Sequence, residues 1–258
     1  MTDLATRPPA GELLRTWRQR RRLSQLDLSC ETGVSTRHLS FVETGRARPS
    51  RQLLLHLSET LEIPLRERNE LLLAGGFAPA YAERGLQHEQ MAPVRDALDR
   101  VLAAYEPYPA LVVDRAWSMV AANRSVALLV AGADPRLLEA PANVLRLSLH
   151  PDGLAPRIAN LAQWRAHVLQ RLARDAATTG DPGLRALHAE LAALPGGEDP
   201  SPPDAIAVPL RLQTAAGELA LLSTVTTFGT AVDVTAAELS IEAFLPADAA
   251  TAEALRSL

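Results

Sequence analysis

Residues Leu23 to Ser50 read LSQLDLSCETGVSTRHLSFVETGRARPS, and they constrain the fold more tightly than any other stretch of the chain. A helix opens at Ser24-Gln25, a turn falls at Gly33-Val34, and a second helix opens at Ser35 and ends before Gly45. A basic, proline-ended loop, Arg46-Ala47-Arg48-Pro49, follows. Two short helices crossing at a glycine turn form a helix-turn-helix, whose second helix can lie in the DNA major groove. The segment therefore predicts DNA binding.

Its surroundings complete an all-α domain. Gly11 to Arg22 has Leu13, Leu14 and Trp17 on one helical face and an arginine cluster on the other. Helix two is expected from Ser24 to Thr32 and helix three from Ser35 to Thr44. A fourth follows the serine cap Ser50 and carries Leu53, Leu54, Leu57 and Leu61. Ile63-Pro64 breaks it, and Leu65 to Ala74 makes a fifth, ended by Gly75-Gly76. Leu26, Leu28, Val34, Leu39 and Val42 are the expected core, with Cys30 as a small buried side chain. The domain spans residues 1–76, and a Pro-, Gly- and Ala-rich linker spans 77–90.

Charge divides along the same line. Residues 1–70 hold 12 Arg against 9 Asp and Glu, whereas residues 71–258 hold 14 Arg against 21. A DNA-facing part is thus joined to an acidic remainder that is not expected to meet phosphate. Every basic residue is Arg, which reads as high-GC codon usage rather than function. No apolar run approaches the roughly 18 residues of a membrane span. The first residues, MTDLATRPPAGE, lack the apolar core of a secretory signal. The single cysteine excludes an internal disulfide and fits a cytoplasmic protein.

The second domain is expected over residues 91–258. Met91 to Tyr105 is an amphipathic helix, and Ala110–Asp114 and Trp117–Ala122 read as two short strands. Helices are expected over Asn123–Ala131, Leu161–Ala177 and Pro182–Leu194, with a loop over Gly196–Pro203. Ile206–Gln213, Glu218–Thr227 and Glu238–Phe244 form a closing meander. Two strands, several helices and a three-stranded meander describe an α+β domain of PAS type.

On helix three, Ser35, Thr36, Arg37, His38 and Ser40 are positioned to face base edges. Arginine pairs bidentately with guanine, while Ser and Thr are permissive. Gln25 is placed to bond a phosphate or to brace the recognition helix. Arg46 and Arg48 suit phosphates, which supply affinity without sequence information. An HTH-shaped domain used only for protein contact is the competing reading.

The pattern LSQ, GVS, ETG and RPS over Gly11–Gly75 resembles the XRE family, the lambda-repressor and Cro-like HTH proteins. Ser29-Cys30 departs from the Leu-Ala of many members. Downstream, VVDRAWSMVAANRSV (112–126), NVLRLSLHPDGL (143–154) and TVTTFGTAVDVTAAELSIEAFLPAD (224–248) resemble the MmyB-like ligand-binding domain. That resemblance implies a PAS-like fold holding a small apolar ligand, with a fatty acid as the known class, in a dimeric transcription regulator.

A buried anionic ligand needs a charge-assisted donor, so Arg146, His150, Arg157 and Arg165 are candidate partners. Each arginine fits a solvated surface better than a ligand contact. Trp117, Trp164 and Phe228 are candidate apolar walls, and Asn123 is either a helix cap or a ligand donor. Six histidines without i, i+4 pairing make no zinc constellation, and no nucleotide-binding or nucleophile-elbow motif occurs. No metal, cofactor or catalytic residue is expected, only a bound fatty acid as ligand. The expectation is a cytoplasmic, homodimeric regulator that binds a double-stranded operator and senses a small apolar ligand. The alternatives are an enzyme with an auxiliary HTH domain and an antitoxin- or adaptor-like protein binder.

Overall fold

The computed structural model describes residues 8–197, 207–215 and 217–257. Most of the loop expected over 196–203, the first residue of the strand expected from Ile206, and Ala216 lie outside the described residues. The chain divides into two compact units, Met1–Arg84 with Val232–Val234, and Gly85–Ala231 with Thr235–Leu258.

The first unit is built on five helices: α1 (Ala10–Arg20), α2 (Gln25–Thr32), α3 (Thr36–Glu43), α4 (Arg51–Thr60) and α5 (Leu65–Ala74). Their ends follow from local chemistry. Ser24 and Asp27 form a reciprocal capping box at the start of α2, and Gly33 ends that helix at φ 69°. Ser35 and Ser50 accept hydrogen bonds from the first turns of α3 and α4. Arg21 donates to the carbonyls of Leu61 (2.8 Å) and Glu62 (2.7 Å), closing the C-terminal end of α4. Leu14, Trp17, Leu28, Leu39, Val42, Leu54, Leu57, Leu61, Leu71 and Leu72 form the core. Each buried leucine contributes about 1.5–3 kcal/mol relative to exposure.

Two expected core positions face outward instead. Leu26 is 64% exposed, and Cys30 is exposed. The reason is helical geometry: α2 is short, and only Leu28 reaches the core. Residues two places before and after it lie about 200° around the helix. Chain after α5 is held to it, because Asn69 receives the amides of Ala80 and Tyr81 and donates to the Tyr81 carbonyl.

In chain order the second unit contains α6 (Ala92–Tyr105), β1 (Ala110–Val113), β2 (Met119–Ala122), α7 (Val126–Val130), α8 (Val144–Leu149), α9 (Leu161–Thr179), α10 (Pro182–Ala192), β3 (Leu210–Thr214), β4 (Gly217–Thr227), β5 (Ser240–Pro246) and a final helix, α12 (Ala249–Arg256), with the short α11 (Val234–Ala237) between β4 and β5. The five strands form one antiparallel sheet in the order β2-β1-β5-β4-β3. The expected strand pair and meander are therefore one sheet, closed by pairing of β5 with β1. With α7 to α10 inserted between β2 and β3, this is a PAS-like α+β domain.

Register assigns the faces. Leu111 pairs with Glu242, Glu242 with Val225, and Phe244 with Ser223, so these residues share one face. Leu111 and Phe244 join Trp164, Val168 and Leu172 of α9 and Leu184, Leu187 and Leu191 of α10 in the larger core. On the opposite face, Ala110, Val112, Ile241 and Ala243 meet Leu98 and Leu102 of α6. No helix of the described residues is long and apolar enough to cross a membrane.

Candidate DNA-reading helix and ligand cavity

α3 carries a polar face on a rigid mount. Leu39 and Val42 are buried, while Ser35, Arg37 and His38 are exposed and Thr36 and Ser40 are half-buried. The Arg37 guanidinium lies 5.4 Å from the Phe41 ring centre. Arg46 and Arg48 are exposed in the turn beyond the helix, where the Arg46 and Ala47 amides bond the Phe41 carbonyl. Of the expected contacts, Ser35, Arg37, His38, Arg46 and Arg48 are thus exposed, on α3, its N-cap and the turn that follows it.

Gln25 reaches Glu43 at the end of α3, its Nε2 donating to Oε2 at 2.8 Å. Arg18 of α1 donates to both oxygens of the same carboxylate, at 2.7 and 2.8 Å, and to the Leu23 carbonyl. Burial pushes the Glu43 carboxyl up. The hydrogen bonds from Arg18 and Gln25 and the charges of Arg18 and Arg15 outweigh that and hold it below the ordinary value. The Glu43 bond in turn raises Arg18. Glu43 and Arg18 had no role in the sequence reading. Their signal was a charged residue on the apolar stripe of each helix.

Gly11 is also positional. A β-carbon there would lie 2.1 Å from the Val42 carbonyl oxygen and 3.0 Å from that of Glu43. Its bare backbone lets α1 touch the end of α3.

In the second unit, a cavity of about 60 Å³ lies between α9 and the sheet, lined mainly by Leu, Val, Met, Trp and Phe side chains. Trp117 and Trp164 are two of its walls. Trp117 adopts φ 64°, a left-handed conformation strained for a bulky residue. The turn holds it there: the Asp114 carboxylate accepts from the Ala116 and Ser118 amides, and the Val144 amide bonds the Trp117 carbonyl. Trp164 Nε1 donates to Ser148 Oγ at 2.9 Å.

The other sequence candidates do not line this cavity. Arg146 forms a two-pronged pair with Glu190, because it lies on the face of α8 toward α10. Arg165 donates to the Ala192 and Gly197 carbonyls. Arg157 donates to the Leu129 carbonyl, and burial lowers its proton affinity. His150 Nδ1 accepts from the Asp152 amide. Asn123 is structural, tying the Ala110 amide to the Leu102 and Tyr108 carbonyls. Phe228 packs on the α6 side of the sheet.

Among the described residues, the arginine that does reach the cavity is Arg171. Its guanidinium lies 4.4 Å from the Trp117 ring centre, and Nη1 donates to Glu242 Oε1 at 2.8 Å. Ser223 Oγ donates to the same oxygen. His167 stacks on Trp164 beside them. Its proton affinity is lowered by burial first, then by Arg171 and Arg174. Arg171 was legible in principle, since Trp164, His167, Val168 and Arg171 follow i, i+3, i+4, i+7 spacing on one stripe. Glu242 shares the inward face of β5 with Phe244. Among the described residues, no group of three or more His, Cys, Asp or Glu is placed to hold a metal.

A helix-turn-helix unit and a PAS-like domain with an apolar cavity define the class of ligand-sensing transcription regulators. The family model described as "MmyB-like transcription regulator ligand binding domain" matches residues 94–258, and a "Helix-turn-helix domain" model matches residues 10–71. The chain belongs to the MmyB-like transcription regulator family. No curated protein matches it. Among solved structures it is similar to one titled "Structure of an RNA-binding Light-Oxygen-Voltage Receptor", with 16% identity and a TM-score of 0.26. That similarity covers 96% of this chain and 63% of the other, so the chain spans less than two thirds of that protein's length.

Proposed function

We propose that this protein is a cytoplasmic, sequence-specific regulator that binds a pseudo-palindromic operator as a homodimer and releases or engages it in response to a small apolar ligand. Residues 1–76 read DNA, 77–90 link, and 91–258 sense. Arg37 and His38 read base edges, with Ser35, Thr36 and Ser40 as permissive contacts, while Arg46 and Arg48 hold phosphates. Gln25 acts by bracing α3. Dimerisation matches the two-fold symmetry of a palindromic site, with half-sites about one helical turn apart.

A single observation carries the ligand reading: an apolar cavity inside the sensory domain with one arginine at its polar end. Trp117, Trp164 and Arg171 are the residues assigned to the ligand, and an acyl chain of fatty-acid type is its class. The space as it stands holds only a few water molecules, at roughly 10–15 Å³ each. An acyl chain enters only as the walls part, and that repacking supplies the two states a ligand needs to favour one over the other. Native mass spectrometry of the purified full chain tests the reading. A co-purifying, chemically unchanged acyl compound supports it, whereas a chemically altered product points to an enzyme.

A further inference from the structure

The polar end of the cavity constrains the ligand's head group. Glu242 is 6% exposed, and both it and Arg171 line the space. One bond, Nη1 to Oε1, joins them, and Ser223 completes that oxygen. Among the described residues, the other guanidinium nitrogens of Arg171 and Oε2 of Glu242 carry no hydrogen bond. The cavity therefore offers a donor and an acceptor side by side, on a pair whose charges already cancel.

An anionic head bound to Arg171 would place two carboxylates on one cation in a mainly apolar space with room for only a few water molecules to screen them. Like charges in such a site force a proton onto one of them. A neutral head with both a donor and an acceptor meets no such penalty. It accepts from Arg171 and donates to Glu242 Oε2. We propose that the Arg171–Glu242 pair makes this cavity select an electrically neutral head group bearing both donor and acceptor: a hydroxyl, a primary amide or a protonated carboxyl. An acyl acid then binds only with uptake of one proton. The proposal rests on the cavity being the ligand site.

The charged groups near Glu242 are on α9. Arg171 faces it directly, and His167, Arg174 and Asp175 lie along the same helix. His167 is held below its ordinary value by burial, and Asp175 is raised by burial against the pull of Arg171 and Arg174. The neighbouring strands bring Ser223, Val225 and Leu111, and the β1–β2 turn brings Trp117, all uncharged.

The test compares decanoic acid with 1-decanol, binding each to the full chain between about pH 7 and pH 8.5, where a free carboxyl is ionised. The alcohol carries any contribution from the surrounding groups, so the difference between the two ligands isolates the proton. Relative to the alcohol, the acid weakens about tenfold per pH unit, the signature of one proton taken up. In Glu242→Gln that slope disappears and the acid binds more tightly than to the unaltered protein at the upper end of the range. A wild-type acid affinity independent of pH overturns the proposal even if the variant fails to fold, and so does a slope that survives Glu242→Gln. If neither compound binds, the cavity itself is wrong and the proposal falls with it. Acid binding without a slope removes only the selectivity.

Discussion

Gln25, the first residue of α2, donates a 2.8 Å hydrogen bond to Glu43, the last residue of α3. The same carboxylate receives Arg18 from α1, so one side chain fixes the mutual angle of three helices. Under the proposed function α3 enters the groove, and this network would set its approach in advance from beneath.

Removing the Glu43 charge tests the brace. Glu43→Gln leaves the 8%-exposed Arg18 without its anion, a change that costs on the order of 3–5 kcal/mol for a buried pair. Because the folded carboxyl is held below its ordinary value, its contribution is full above about pH 4.3 and is lost as pH falls through the folded value. Urea unfolding followed across the acid range shows this loss in the unaltered protein and a flatter profile in the variant. Gln25→Ala, which removes one hydrogen bond, costs about 1 kcal/mol.

Gly11→Ala reverses the usual helix preference. Alanine normally stabilises a helix interior by about 1 kcal/mol over glycine. Here the added carbon meets backbone carbonyls that no rotamer change can move aside. A net loss of about 1–3 kcal/mol is expected from the overpacking, with weaker operator binding because α3 shifts. Thermal unfolding and a gel-shift titration measure the two effects, and a more stable variant would refute the close contact.

Base reading and phosphate holding separate by sequence dependence. Arg37→Ala loses about 1–3 kcal/mol on operator DNA and relaxes preference at one position. Arg46→Ala weakens all duplexes alike and reduces the salt slope by about one. Equal losses from Arg37→Ala on every duplex would remove its base-reading role.

At Trp117 the backbone and the side chain make opposite demands. Truncation to alanine opens the core and costs about 3–5 kcal/mol, while a side chain of any kind still bears the left-handed φ of 64°. Trp117→Gly relieves about 1–2 kcal/mol of that strain. Chemical denaturation is thus expected to rank the glycine variant above the alanine variant, and the opposite order would contradict the strained turn.

Much of the fold was written locally. The serines at 24, 35 and 50 cap the helices they precede, Gly33 turns the chain, and alternating or continuously apolar residues mark β3 to β5. Leu26 and Cys30 misled because an eight-residue helix presents too few turns for periodicity to select its inward face. Arg146, Arg157 and Arg165 each bond an acceptor in their own surroundings, because an arginine's destination is set by whichever acceptor packs beside it.

By itself the sequence determined the helix-turn-helix, the division of charge and the succession of strands along the chain, since caps, turns and spacing act between neighbours on the chain. Tertiary structure alone decided that Arg171 meets Glu242, 71 residues away, and that Gly11 lies against the end of α3. Those encounters depend on strand register and on the angles at which helices cross. Both are set by the packing of the whole core, and no local pattern encodes them.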